Sequence, residues 1–315
     1  MSASIDPYAA GLPPLSPIGL GTVGFRLARA DAAARILDAY VELGGTLIDT
    51  AAIYSHGESE QVIGSWLRGS RARDSVTLLT KGAHPDADWN SRLDAASIVS
   101  DLEDSLRHLG VDHVDVLLVH RDDPGLAIEP IIDTLQAQVA AGRTRAIGVS
   151  NWTTDRLERA IAYAATTGGA PLAVSSVYLG LADPSMPMVP GCVDACGDAT
   201  LSWYAASGLP LLAWSAQSSG YFEPTWDAAS LPGFVVETYD TPANRQRRAR
   251  AQRLASEIGA TASQVAIAWV LGQACRPIAL AGVRDVAGLH NAWAASKLEL
   301  SDVQRRWLHD GDPLN

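Results

Sequence analysis

Four residues could do proton chemistry together: Asp49, Tyr54, Lys81 and His120. Asp49 closes the apolar pair Leu47-Ile48, Lys81 follows the run 77–80, and His120 follows the run 114–119, so none of the three reads as a stray surface charge. Burying a carboxylate against an ammonium costs desolvation energy that packing alone would not demand. Such a pair could tune a phenol, whose ordinary pKa is near 10, because a nearby ammonium favours the phenolate. Tyr54 is thereby expected to be a usable general acid near neutral pH, with His120 orienting or polarising a carbonyl oxygen. Taken singly, an Asp at a strand end reads as a cap or turn residue and a lone His as a hydrogen-bonded core residue. Only Lys81 and Lys297 are lysines among the 24 basic residues, and a lysine at a strand end also admits Schiff-base chemistry.

These residues need a scaffold that brings separate strand ends to one face. Apolar runs at 18–22, 46–49, 76–81, 114–120, 146–150, 173–177, 210–215 and 278–282 read as strands, most of them covered on both faces. Between them apolar residues recur at helical spacing, as in Ile98, Leu102, Leu106 and Leu109. Strict β/α alternation implies parallel strands with right-handed crossovers, and eight such units close into a (β/α)8 TIM barrel. The Pro- and Gly-rich stretch 183–197 lies inside the alternation, so residues 1–315 are expected to form one domain. In this fold chemistry sits at the C-terminal ends of the strands, which adds Ser150, Asn151 and Ser215 to the first four residues. The long segments 84–92 and 220–241 are expected to lie over the barrel mouth.

Composition narrows the partners. With 35 acidic residues against 24 basic, the net charge is −11, and no basic cluster suited to a nucleic-acid backbone appears. The expected partner is a small molecule. No signal-like start or run of about 18 apolar residues is present, so a soluble, cytoplasmic protein without membrane attachment is expected. Cys192, Cys196 and Cys275 suit neither a disulfide framework nor a zinc site and are read as structural. His56, His84 and His120 lack ligand spacing, so no metal is expected. The arginine-rich stretch 245–253 reads as a helix face turned to water.

The segments GTLIDTAAIY with GESEQVIG, then LLTK, VDVLLVHR, IGVSNW and LLAWSAQSSGYF resemble, in order and spacing, the aldo-keto reductase superfamily, from about Gly19 to Leu300. The nearest likeness is to a bacterial branch of aryl-alcohol dehydrogenase-like and sugar-acting reductases. The resemblance implies a tetrad of Asp49, Tyr54, Lys81 and His120 at the reactive end of NADP(H), with hydride passing from nicotinamide to carbonyl carbon while Tyr54 protonates the oxygen. It implies that Ser150 and Asn151 hold the carboxamide, that Trp214 stacks on the nicotinamide, and that Gly21 and Thr22 flank the cofactor. Ser215, Gln217, Ser218 and Gly220 fall on the loop that wraps the pyrophosphate, and Arg284 on the residue that pairs the 2′-phosphate. The sequence departs from the family pattern twice. Ser176, or alternatively Ser175, stands where a Gln usually reaches the carboxamide, and Asn291-Ala292 stands in place of Glu-Asn.

A carbonyl or alcohol substrate follows from the resemblance. Trp89, Tyr221, Phe222 and Trp226 are expected to line its pocket, and Arg121, Asp122 and Asp123 would suit a hydroxylated substrate such as a sugar. Two other readings stay open: a Schiff-base aldolase or lyase working through Lys81, and a non-catalytic nucleotide-binding regulatory barrel.

Overall fold

A computed structural model describes residues 12–70, 72–223 and 232–312. Eight strands, β1 (Ile18–Gly21), β2 (Leu47–Asp49), β3 (Thr77–Gly82), β4 (Val114–Val119), β5 (Thr144–Ser150), β6 (Leu172–Tyr178), β7 (Leu211–Trp214) and β8 (Ile278–Gly282), pair in sequence order and close into a barrel. Every pairing is parallel, including β1 with β8. The strand period of two then sorts the side chains. Leu47, Leu79, Val116, Leu118, Val174, Leu212 and Leu280 fill the interior, while Leu78, Leu117, Ile147 and Leu211 pack outward against helices. The barrel is therefore filled, and a ligand must sit at one end of it.

The helical ring is α1 (Ala30–Glu42), α2 (Glu58–Ser70), α3 (Ala95–Leu109), α4 (Glu129–Ala140), α5 (Thr154–Thr167) and α6 (Asp198–Ser207), with α7 (Gly233–Tyr239), α8 (Pro242–Ile258) and α9 (Ala262–Leu271) before β8 and α10 (Val286–Ala294) and α11 (Asp302–Asp310) after it. Side chains cap several of their N-termini: Asp94 accepts from the Ser97 N–H at the start of α3, and Thr261 and Ser301 form capping boxes on α9 and α11. Gly148 marks a close approach, since a Cβ there would lie 2.3 Å from the Val174 carbonyl oxygen, at the point where the β5–β6 register shifts.

The arginines of α8 form the solvated face read from sequence only in part: Arg245 and Arg253 are exposed, paired with Asp240 and Glu257 at 2.7 and 2.9 Å, whereas others are drawn onto the protein. Arg247 pairs with Asp183 at 2.5 Å, and Arg250 donates to the Leu308 and His309 carbonyls at 2.9 and 2.8 Å, capping the end of α11. Orphan carbonyls at a helix C-terminus attract cations, which accounts for this use of the stretch. At the N-terminal end of the barrel the buried Asp115 of β4 accepts from Arg73 and from the Leu78 N–H, each at 2.8 Å, and pairs with Arg145 at 3.2 Å. Among the described residues no single helix is long and apolar enough to cross a membrane.

Candidate active site

Parallel pairing carries each candidate residue to the C-terminal end of the barrel. Past β2 the ladder runs on for two steps, with the Thr50 and Ala52 N–H groups donating to the carbonyls of Leu79 and Lys81, each at 2.9 Å. The chain then turns so that Tyr54 faces β3. Ser55 fixes the turn by donating to the Phe25 carbonyl at 2.7 Å, and Ser55 and His56 take up positive φ. Gly57, at φ +86°, lets the chain enter α2 beneath His108. His120 is held in step when its N–H donates to the Gly82 carbonyl at 2.9 Å.

Lys81 is the hub of the site. Its buried ammonium lies 2.6 Å from Asp49 Oδ1 and donates to the Thr50 carbonyl at 3.0 Å and to the Tyr54 hydroxyl at 3.2 Å. The His120 ring meets Tyr54 edge-on, with centroids 5.7 Å apart, and meets His84 at 5.0 Å. Burial works against the Lys81 charge, but Asp49 and Tyr54 outweigh it and hold the ammonium above its ordinary range. Burial also pushes the Asp49 carboxyl up, with Lys81 pulling against it. Burial, with Lys81 and Arg121 nearby, drives the His120 imidazole well below its usual range, so the ring is neutral at neutral pH.

Tyr54 departs from the sequence expectation. Burial raises its pKa above the ordinary phenol value, with Lys81 opposing but not reversing the shift. The ammonium therefore does not make a phenolate at neutral pH. It keeps a neutral donor in place and stands ready to stabilise the anion once the proton has left.

Around this cluster lie most of the expected cofactor residues. Ser150 donates to the Ser176 carbonyl at 3.0 Å. The Asn151 amide donates to Ser150 Oγ at 2.9 Å and the His120 carbonyl at 3.2 Å, while its oxygen accepts from the Val193 N–H. Ser175 is turned outward and shares a hydrogen bond with Tyr204, whereas the Ser176 hydroxyl is buried without a partner. That assigns the inward position on β6 to Ser176. Trp214 ends β7 against the edge of Tyr178, with its indole N–H buried and unpartnered. Beyond it Ser215, Ser218, Ser219 and Gly220 all have positive φ, with Gln217 between them, and the loop is wound tightly, the Ser218 and Gly220 N–H groups donating to the Ser215 and Gln217 carbonyls at 2.7 and 3.1 Å. Gly21 ends β1, and Thr22 is fully buried, its hydroxyl donating to the Asp49 carbonyl at 2.9 Å. An unpartnered buried hydroxyl, an aromatic face with an unpartnered N–H, and a tight serine-rich loop beside them fit a nicotinamide with its pyrophosphate.

The structure corrects other expectations. Tyr221 and Phe222 are fully buried, packed edge to face at 5.5 Å, so they brace the loop after β7 rather than line a pocket. Trp226 lies outside the described residues. Asn291 on α10 has its amide oxygen engaged by the Thr261 hydroxyl at 3.1 Å, which ties α10 to α9, and Ala292 is core. Asp122 is taken by Arg156 at 2.8 Å, which removes a hydroxyl-binding carboxylate from the mouth. Arg284 is exposed two residues past β8, as a phosphate partner would be. Trp89 is 43% exposed on the loop after β3, its ring 5.7 Å from His84. Sequence reasoning missed His84 as a neighbour of His120 and Tyr178 as a neighbour of Trp214, although both stand at or just past strand ends. A cavity of about 180 Å³ opens beside Trp214, lined by Met186, Met188, Cys192 and Tyr239, and another of about 300 Å³ lies at the opposite end beside Asp115. The first is the relevant one, because it adjoins the candidate residues.

A filled parallel barrel whose mouth holds a carboxylate, an ammonium, a phenol and a neutral imidazole in contact defines an enzyme built to move a proton at an oxygen atom. The chain belongs to the aldo/keto reductase family, whose model matches residues 17–308. Relatives include an aldo-keto reductase of Strobilurus tenacellus, 27% identical over 301 residues that cover 92% of this chain and 87% of that protein. The NADP(+) aryl-alcohol dehydrogenase of Phanerodontia chrysosporium is 24% identical over 322 residues, covering 95% of this chain and 79% of that protein. The aldo/keto reductase of Klebsiella pneumoniae solved with NADP and acetate shares the fold with a TM-score of 0.71 at 24% identity, covering 94% of this chain and 92% of that one.

Proposed function

We propose that the chain is a single-domain, cytoplasmic, NADP(H)-dependent reductase that interconverts an aldehyde or ketone with its alcohol, with Tyr54 as general acid in reduction and general base in oxidation. The observation that carries this reading is Lys81 bridging Asp49 at 2.6 Å and the Tyr54 hydroxyl at 3.2 Å. NADPH, when bound, supplies hydride to the carbonyl carbon. Tyr54 delivers its proton to the carbonyl oxygen and is left as a phenolate facing the Lys81 ammonium, which Asp49 holds in place. Neutral His120 orients that oxygen. The Ser150, Asn151 and Ser176 cluster would hold the carboxamide, Trp214 would stack on the ring, the loop of Ser215, Gln217, Ser218 and Gly220 would take the pyrophosphate, and Arg284 the 2′-phosphate.

Large apolar side chains stand exposed around the mouth, among them Ile53, Trp89, Leu126 and Met186, which favours an aryl or otherwise apolar aldehyde over a sugar. A Schiff-base role for Lys81 is disfavoured, because a nucleophilic amine needs a lowered pKa and Asp49 holds this one up. The test is a fluorescence titration with NADPH and NADH, followed by a panel of aldehydes, ketones and keto-sugars. Tighter binding of NADPH and its oxidation by at least one carbonyl are expected. Trapping of a carbonyl on Lys81 by borohydride, or nucleotide binding with no carbonyl consumed, would overturn the reading.

A further inference from the structure

We propose that the substrate carries an anionic group, a carboxylate or a phosphate, that seats on Arg121 at the barrel mouth beside His120. The inference rests on the reductase reading above and names a substrate class within it. Among the described residues three arginines are buried, Arg121, Arg156 and Arg247, at 9%, 6% and 8% exposure. Arg156 holds Asp122 through two bonds of 2.8 and 3.0 Å, and Arg247 holds Asp183 at 2.5 Å. Arg121 has no such anion among the described residues. Two carboxylates of the site, Asp49 and Asp122, are engaged elsewhere, by Lys81 and Arg156.

A guanidinium cannot shed its proton and carries five N–H donors in a rigid fork. Here Nη1 donates to the His120 carbonyl at 2.9 Å, while Nε is buried without a partner. Leaving a buried cation and a buried donor uncompensated costs free energy that packing does not return. A carboxylate or phosphate accepting from Nε and Nη2 together would relieve both at once. The place is right for a substrate. Arg121 stands two residues past β4, its Cδ lies 3.6 Å from where a Gly191 Cβ would stand, and Cys192, the next residue of that loop, lines the cavity beside Trp214. Its charge also reaches Tyr54, His84 and His120. The apolar rim then suits the uncharged body of a substrate whose anionic end is anchored inside.

Matched pairs test this: 4-carboxybenzaldehyde against its methyl ester, and glyceraldehyde 3-phosphate against glyceraldehyde, compared by kcat/KM. We expect the anion to be favoured at least tenfold in one pair, which also separates carboxylate from phosphate. The ratio should fall toward unity in Arg121→Met, whatever happens to the absolute rate, and stay intermediate in Arg121→Lys. No preference in either pair, or a preference that survives Arg121→Met, overturns the proposal. Calorimetry with benzoate and inorganic phosphate keeps it separable from the reductase reading. An anion that binds wild type, binds Arg121→Lys more weakly and does not bind Arg121→Met, with no carbonyl consumed, sustains the anion site while the reductase reading fails. Absence of binding by both probes, or displacement of a bound probe by NADPH without substrate, overturns the site, the latter by assigning Arg121 to the nucleotide.

Discussion

Asp115 at the N-terminal end of the barrel and Asp49 at the C-terminal end are both buried carboxylates set against cations, yet they are treated in opposite ways. Asp115 accepts from Arg73 and the Leu78 N–H and pairs with Arg145, two arginines whose side chains are 23% and 55% exposed and reach water. Its acceptor capacity is consumed by the fold. Asp49 faces one fully enclosed ammonium, and that ammonium leads on to the Tyr54 hydroxyl in a part-buried position. The backbone repeats the contrast. Ser55, His56, Ala83, Trp89, Asn151, Ser215, Ser218 and Ser219 hold positive φ on segments that follow strand C-terminal ends, and Arg276 is the one other non-glycine case among the described residues. Sparsely populated conformations persist where surrounding structure over-determines them, which is characteristic of sites. On the proposed mechanism the same residue types serve stability at one end and chemistry at the other.

The contrast can be broken in order of expected effect. Tyr54→Phe should lower kcat for carbonyl reduction by about 10²–10⁴-fold, the usual worth of a positioned general acid, with NADPH affinity nearly unchanged by fluorescence titration. Lys81→Met strands the Asp49 charge and should cost about 3–5 kcal/mol in denaturant unfolding as well as activity. Asp115→Asn, by comparison, should cost only about 1–3 kcal/mol, the price of an unsatisfied partner, and leave kcat/KM within a factor of two. Loss of activity without loss of stability in Asp115→Asn would erase the distinction between the ends.

The pH profile follows from the directions of the shifts. The proposed mechanism needs Tyr54 protonated for reduction, and burial holds its pKa above the ordinary phenol value of 10, so the proton stays through neutral pH and is lost only as pH rises beyond that value. His120, with its pKa lowered, is already neutral and adds no break between pH 6 and 9. Single-turnover reduction should therefore be flat over that window, and an inflection near pH 7 would show that one of the two groups titrates there. The smallest effect is expected at Ser176→Ala, where loss of one hydroxyl should weaken NADPH binding by about tenfold or less.

Much of this was legible in the sequence, for physical reasons. Strands buried on both faces appear as bounded apolar runs, and every expected strand lies within two residues of the observed one. Strand ends then locate Asp49, Lys81 and His120 without further information. What the sequence hid depends on contacts between distant residues. Asp122 is neutralised by Arg156 in the next helical unit, and Arg247 and Arg250 of the 245–253 stretch are drawn to the Leu308 and His309 carbonyls of α11. The burial of Tyr221 and Phe222, and the burial that lifts the Tyr54 pKa, are products of packing that no local pattern encodes.

The central claim is that Asp49, Lys81 and Tyr54 act as one proton-donating unit. It is tested most directly by kcat for NADPH-dependent aldehyde reduction in Tyr54→Phe, Lys81→Met and the double variant, with nucleotide binding measured on each to confirm folding. Residues that work as a unit are strongly non-additive. The account predicts that the double variant loses no more than the worse single one, and losses that multiply would contradict it.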